Sequence, residues 1–288
     1  KGVCMHHDQG ALGAEAWERA IERQVEILKE MGCNSIRVTH NPAAEELINI
    51  CNEKGILVVE EMFDGWQNAK NGNNNDYARF FNQTIGESNQ ILGKENGMTW
   101  AKYDLTAAVK RGWNAPSIIM WSLGNEVQEG ATGVLTQAYA NVQANLIDWT
   151  TALDTTRPAT RGDNVLKGNK IGIPKNMMDA MTTANGTVGL NYCSGNDYDT
   201  LHNSNPNWKL YGSETASAVN SRGVYDRIDG SKTGQKLTSY DNSAVNWGAV
   251  ASSAWYEVIK RDFVAGEYVW TGFDYIGEPT PWNGTGKG

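Results

Sequence analysis

Two glutamates stand out by where they fall in the chain. Glu126 ends the run Ile118-Ile119-Met120-Trp121-Ser122-Leu123-Gly124-Asn125, and Glu214 ends Trp208-Lys209-Leu210-Tyr211-Gly212-Ser213. Each acid therefore opens directly from an apolar segment. Two carboxylates held about 5–5.5 Å apart on either side of a glycosidic bond can hydrolyse it with retention. One is the nucleophile; the other gives a proton to the leaving oxygen and later takes one from water. The other reading of each glutamate, a solvated or arginine-paired loop residue, stays open on this pattern alone.

The elements that must position these acids follow a rhythm of short apolar runs and longer amphipathic stretches. Val3–Met5 reads as a first strand. Residues 15–31 read as a helix, with Ala16, Ala20, Ile21, Val25, Leu28 and Met31 at three- and four-residue spacing and Gly32 at its end. Residues 33–39 form a second strand, and Pro42 opens a helix that runs to Lys54 and stops at Gly55. Residues 56–59 are continuously apolar, as a parallel strand covered on both faces requires. Residues 65–99, with Asn71-Gly72-Asn73-Asn74-Asn75, read as a long loop holding a short helix. Further strands are expected at 117–123, 157–161, 187–192, 209–213 and 267–272. Helices are expected at 100–111, 136–153, 175–183 and 245–263, with a loop over 220–240.

Eight strands with helical crossovers in 288 residues predict an α/β fold, a closed (β/α)8 TIM barrel, rather than an open sheet. The last helix is expected to be missing or minimal. Residues 1–288 are expected to form a single catalytic domain cut from a larger multidomain enzyme. No Gly-x-Gly-x-x-Gly follows the first strand, which weighs against a dinucleotide fold.

Such barrels carry their active sites at the C-terminal ends of the strands. Those ends are polar on every strand here: His6-His7-Asp8; Arg37, Thr39, His40 and Asn41; Glu60, Glu61 and Asp64; Asn125-Glu126; Asp163-Asn164; Asn191-Tyr192; Glu214; and Trp270 with Asp274. The fourth and seventh strands are expected to face each other across the mouth.

Composition narrows the partner. Lys and Arg number 25 against 33 Asp and Glu, a net charge of −8 with no basic stripe, which argues against nucleic acid or an anionic membrane. No apolar run approaches the roughly 18 residues of a membrane span. Eleven Trp and 31 Gly suit stacking on neutral polar rings, with carboxylates and amides holding the hydroxyls. The four cysteines form no Cys-x-x-Cys pair and read as small hydrophobes.

Ala115-Pro116-Ser117-Ile118-Ile119-Met120-Trp121-Ser122-Leu123-Gly124-Asn125-Glu126 resembles the acid/base signature of glycoside hydrolase family 2. Arg37-Val38-Thr39-His40-Asn41-Pro42 resembles that family's Arg-x-Ser/Thr-His-x-Pro segment. Tyr211-Gly212-Ser213-Glu214-Thr215-Ala216-Ser217 is similar to its nucleophile strand, in the form seen in streptococcal-type surface β-galactosidases. The stretches 2–8 and 268–282 match the start and end of that barrel.

The resemblance implies roles. Glu126 would be the acid/base, Glu214 the nucleophile, and Asn125 the contact to the sugar 2-hydroxyl. Arg37 and Tyr192 would support the nucleophile, His40 and Asp163 would hold sugar hydroxyls, and Trp270 would be the stacking platform, with a cis bond to Thr271. In some relatives a Glu after the third strand binds magnesium with a nearby His; Phe63 stands where that His would be, so neither metal nor cofactor is expected. Asn207-Trp208-Lys209 mimics the Asn-x-Lys clamp of glucuronidases but precedes the nucleophile, and reads as chance. The expected substrate is a terminal β-galactoside, with β-glucuronidase, β-mannosidase or a non-catalytic sugar-binding barrel as alternatives. Flanking β-sandwich domains and a bacterial extracellular or cell-envelope location are implied as well.

Overall fold

The computed structural model describes residues 1–275 apart from 8, 10–11, 74, 131–132, 169–170 and 229–235. Its short apolar runs become eight strands: β1 (Gly2–Met5), β2 (Ser35–Val38), β3 (Leu57–Glu61), β4 (Ile118–Asn125), β5 (Ala159–Asp163), β6 (Val188–Asn191), β7 (Leu210–Ala216) and β8 (Val264–Trp270). All neighbours pair in parallel, and β1 pairs with both β2 and β8, so the sheet closes on itself. The TIM barrel predicted from the alternation is the observed fold.

The amphipathic stretches become α1 (Glu18–Glu30), α2 (Glu45–Lys54), α3 (Ala78–Phe81), α4 (Trp100–Gly112), α5 (Gln137–Leu153), α6 (Ile173–Thr183), α7 (Gly195–Ser204) and α8 (Ala251–Ile259). In α1 the predicted apolar positions Ile21, Val25 and Leu28 are the buried ones. The inward faces of α1, α2, α4 and α5 join the outward faces of the strands in one large apolar cluster. Inside the barrel Cys4, Val59, Tyr211 and Tyr268 form a separate small core. Their hydroxyls are satisfied: Tyr268 meets Ser35 at 2.7 Å and Tyr211 meets Thr160 at 3.0 Å. Cys4 and Cys51 are buried and Cys33 and Cys193 half-buried, all as free thiols.

Several element bounds differ from expectation, β8 running over Val264–Trp270 rather than 267–272, and three differences have a visible cause. β5 begins at Ala159 rather than Arg157, because the Arg157 side chain is used at the foot of the barrel. Its Nε donates to the Ile118 carbonyl at 2.8 Å and its Nη1 pairs with Asp154 at 2.7 Å. α7 was not expected, since Tyr198 and Leu201 are its only large buried side chains; a Ser194–Asp197 capping box starts it. α8 starts at Ala251, not Val245, because Asp241 reaches back to cap the Ala251 and Ser252 N–H groups at 2.9 and 2.8 Å. Asp8 and any helix after β8 lie outside the described residues.

Candidate active site

At the mouth of the barrel the side chains of β2, β3, β4 and β7 converge on one guanidinium. Arg37 is fully buried. Its Nη1 donates to Glu214 Oε2 at 2.9 Å and to the Ser213 carbonyl at 3.1 Å. Its Nη2 donates to Glu61 Oε2 at 2.8 Å and Asn125 Oδ1 at 2.9 Å, and its Nε also reaches Glu61 Oε2, at 3.1 Å. Every arm of the fork is therefore used, as a buried charge requires.

Glu61 is the second hub. Ser122 donates to its Oε2 at 2.7 Å, and His40 Nδ1 lies 2.6 Å from its Oε1. Burial pushes Glu61 up, but the Arg37 charge and the His40 and Ser122 hydrogen bonds outweigh it and hold the carboxyl at about 2. Burial likewise pushes His40 down, while its bond to Glu61 holds it above the ordinary imidazole range.

Glu214 is gripped from two sides. Arg37 takes Oε2, and the Tyr192 hydroxyl donates to Oε1 at 2.7 Å. Glu126 is held more lightly, by Asn191 Nδ2 at 3.0 Å; the same amide donates to Asn125 Oδ1 at 3.0 Å. A chain of contacts thus runs from Glu126 through Asn191, Asn125 and Arg37 to Glu214. Glu126 and Tyr192 both sit in the left-handed region, with φ of 40° and 54°. For non-glycine residues this is strained backbone of the kind that gathers at functional sites.

Both glutamates line one cavity of about 470 Å³, together with His40, Asn125, Tyr192 and Trp270. The Trp270 indole lies parallel to the His40 ring, with centroids 5.4 Å apart, and His6 meets its edge at 5.1 Å. The Trp270–Thr271 peptide is cis, as is Thr39–His40. Glu126 and Glu214 do not face each other directly: β4 and β7 are three strands apart in a ring of eight, one short of opposite.

The structure therefore brings together Glu126, Glu214, Asn125, His40, Arg37, Tyr192 and Trp270. Asp163 is not among them. It is buried and turned into the barrel wall, where Oδ2 pairs with Arg161 at 2.8 Å and Oδ1 accepts from the Val165 and Leu166 N–H groups. A residue so engaged is not placed to meet a sugar hydroxyl, which corrects the expectation for it. The magnesium question is answered by the donors present. Phe63 is locked among Tyr77 and Phe81, and both Glu61 oxygens are taken by Arg37, His40 and Ser122. These residues do not fit a metal site.

Several mouth residues escaped the sequence reading. Asn191 was noted only as a strand end, yet it joins Glu126 to Asn125. Lys70, Asn71, Asn73, Asp76 and Glu129 line the same cavity. Lys70 Nζ pairs with Asp64 Oδ1 at 2.6 Å. Glu129 is hydrogen-bonded to Glu126; burial and that neighbour push it up to about 7, against the pull of Lys70. Trp247 also lines the cavity and is 65% exposed. Only the i,i+3 position of Glu129 after Glu126 could have signalled this wall.

Comparison with known proteins agrees with this geometry. The family profile described as "Glycosyl hydrolases family 2, TIM barrel domain" matches residues 1–286. The chain is 35% identical to a protein named beta-galactosidase BoGH2A of Bacteroides ovatus, over 98% of this chain and 35% of that protein. It is 27% identical to a beta-glucuronidase of Bacteroides fragilis, over 95% of this chain and 36% of that one. Among solved structures, a glycosyl hydrolase family 2 member from Bacteroides cellulosilyticus superposes with a TM-score of 0.70 at 32% identity, covering 96% of this chain and 28% of that one. The chain thus spans about a third of the length of these relatives.

Proposed function

The chain belongs to glycoside hydrolase family 2, and from that premise we propose that it is the catalytic barrel of a retaining β-glycosidase that removes terminal β-D-galactosyl groups. One observation carries the assignment of roles. Glu214 has both oxygens fixed by donors, Arg37 and Tyr192, while Glu126 in the same cavity accepts from one amide and meets a second carboxyl, Glu129. A carboxylate fixed by two donors is held in position to attack; one beside a second carboxyl is suited to exchange protons.

The reaction then runs in two displacements. Glu214 attacks the anomeric carbon while Glu126 passes its proton to the leaving glycosidic oxygen, giving a glycosyl ester on Glu214. Glu126, now a carboxylate, takes a proton from water; the hydroxyl adds to the anomeric carbon and Glu214 leaves unchanged. Asn125 supports the sugar 2-hydroxyl. Its Oδ1 is occupied by Arg37 and Asn191, which leaves the amide NH2, with long contacts of 3.4 Å to His40 and 3.5 Å to Asp64, to donate to substrate. Trp270 and His40 supply the wall against which the ring rests.

Two features favour a neutral sugar over a uronic acid. Lys209 of Asn207-Trp208-Lys209 precedes β7 and bonds Asn185 at the far end of the barrel, so it cannot clamp a substrate carboxylate. Lys70, the lysine that lines the cavity, is already neutralised by Asp64. The similarity to a protein named a β-galactosidase supports galactose. The threefold greater length of the relatives supports flanking domains around this single barrel; we expect them to shape the entrance.

The test is a panel of nitrophenyl β-glycosides (galactoside, glucuronide, mannoside and glucoside) with Glu214→Gln as control. Release from the galactoside alone, lost at least about 10³-fold in the variant, is the expected result. Equal rates for parent and variant would remove Glu214 from its role, and release from the glucuronide alone would replace the sugar.

A further inference from the structure

Arg37 serves the nucleophile, and the opposite wall of the cavity has a buried cation of its own. Among the described residues that line the cavity, five are carboxylates and Lys70 is the one lysine or arginine. Lys70 is 8% exposed, rare for a lysine, and is fixed along its length. Its N–H donates to Asp76 Oδ2 at 3.2 Å, and its carbonyl accepts from the Asn73 N–H at 3.0 Å. Asn71 then takes a left-handed φ of 50°, which turns the chain at once. The methylenes lie over Gly65, where a Cβ would stand 3.6 Å from both Cγ and Cε. The ammonium ends 2.6 Å from Asp64 Oδ1.

A second tight turn brings Glu129 to the same wall. The left-handed φ of Glu126 opens the 3-10 turn Val127–Glu129, and the Glu129 N–H donates to the Glu126 carbonyl at 3.0 Å. Gly130 follows, so near the Asn68 carbonyl that a Cβ would stand 2.3 Å from it. The segment that carries Lys70 and the turn that carries Glu129 are therefore locked together.

We propose that Lys70 is a positioning residue for the acid/base: its ammonium is the fixed counter-charge that lets Glu126 and Glu129 stand beside Asp64, and it sets the field in which Glu126 exchanges its proton. This rests on the catalytic reading given above. Carboxylates at close quarters repel one another, and a cation among them favours their charged forms. Lys70 acts in this sense on both flanks. Burial pushes Asp64 up, and the Lys70 and His40 charges outweigh it; burial also raises Glu129, and Lys70 pulls it back. The other charges facing this wall are committed elsewhere. Asp76 accepts from the Lys70 and Ala78 N–H groups. Arg37 is divided between Glu61 and Glu214, and His40 bonds Glu61. Lys167 lies beyond Tyr192, 5.8 Å from its ring. The cation of the acid/base wall is therefore Lys70, and in the second displacement it favours the carboxylate form that takes a proton from water.

The experiment follows kcat/KM against pH, on the nitrophenyl glycoside that the panel selects, in the parent and in Lys70→Met and Lys70→Arg. Loss of the ammonium should let the acid keep its proton longer, so the alkaline limb is expected to move up by about one pH unit in Lys70→Met. Lys70→Arg, which keeps the charge, should restore the parent limb. A lower rate with the limb in place, or the same displacement in Lys70→Arg, overturns the proposal. A second reading needs no turnover. In Glu214→Gln the glutamate carboxyls are titrated by carbon-13 NMR, with Glu129→Gln identifying the Glu129 signal. Its midpoint is expected to rise by about one pH unit when Lys70→Met is added; an unchanged midpoint overturns the proposal. Lys70→Gln gives the same readings should Lys70→Met fail to fold. Silence across the glycoside panel with the Glu129 midpoint still raised would count against the catalytic reading and leave the counter-charge standing.

Discussion

Tyr192 and Glu214 are joined twice across the β6–β7 seam. The Tyr192 N–H meets the Glu214 carbonyl at 2.7 Å, and the Tyr192 hydroxyl meets Glu214 Oε1 at 2.7 Å. The backbone bond fixes where the phenol starts and the left-handed φ of Tyr192 turns it back onto its neighbour. Burial and the Glu214 charge hold the phenol far above its ordinary range, so it remains a donor at every working pH.

Tyr192→Phe removes one of the two donors that fix the nucleophile while keeping the ring. A hydrogen bond to a charged group is worth about 1.5–3 kcal/mol, so kcat on a nitrophenyl glycoside is expected to fall about 10–100-fold. Thermal unfolding should shift little, because the backbone bond remains. Steady-state kinetics beside a melting curve check both halves of this expectation.

Glu129 should leave a mark on the pH profile. Its carboxyl, pushed up to about 7, stays largely protonated below neutrality, and above it adds a second negative charge beside Glu126. A carboxyl that gains its charge near neutrality beside the candidate acid/base changes the local field across the working pH range. Glu129→Gln is therefore expected to move the alkaline limb of kcat/KM to lower pH, with the acid limb in place. An identical profile for parent and variant would separate Glu129 from the proton economy of the pair.

Stability should peak in mildly acidic solution, for reasons that lie on one strand. Glu60 and Glu61 end β3 and point to opposite faces. Glu60 accepts from Arg111 and the Ala43 N–H through Oε1, while Oε2 is buried with no hydrogen-bond partner among the described residues, and burial pushes the group up to about 7. A raised carboxyl binds protons more readily in the folded chain. Its stabilising contribution is full below about 4.5 and is lost as pH rises through 7. Glu61, held at about 2, does the reverse: its contribution is full above 4.5 and is lost as pH falls toward 2. The denaturant midpoint is expected to be higher at pH 5 than at pH 8, with Glu60 responsible for roughly 3 kcal/mol at most. The difference should shrink in Glu60→Gln.

Gly248→Ala tests the turn over Val245–Gly248, which Ala249 N–H fastens to the Ala216 carbonyl at the end of β7 at 2.7 Å. The added methyl collides with the Ala216 carbonyl, so turn and strand end must part. A loss of about 1–3 kcal/mol is expected in denaturant titration, in line with other overpacked sites.

What was legible in the sequence followed from local rules. β4 was readable from the apolar run expected over 117–123, although the strand continues to Asn125, and Glu126 could be placed because it closely follows that run. The same logic located Glu214, Arg37 and Trp270. What was missed depends on contacts between distant segments. Asp163 looked like a mouth residue until Arg161, two residues earlier on the same strand, proved to hold it. Trp247 fitted the spacing of a helix from Val245, but the segment forms a turn closed by Gly248 N–H to the Val245 carbonyl, with Gly248 packed against the Ala216 carbonyl. Lys70, Asn73 and Asp76 show no periodicity, because their arrangement comes from the Asn73 and Asp76 side chains bonding nearby backbone.

The placement of Arg37 bears on how the barrel assembles. Its partners Glu61 and Asn125 arrive with β3 and β4, but Glu214 and Ser213 arrive with β7. A fragment comprising β5 to β8 would carry Glu214 without its counter-ion, and one comprising β1 to β4 would leave an arm of the guanidinium without an acceptor. Neither half is electrostatically complete, and leaving a buried charge unpaired costs several kcal/mol. The Arg37 network is complete only when β2, β3, β4 and β7 are all in place, which couples closure of the ring to neutralisation of the buried charge.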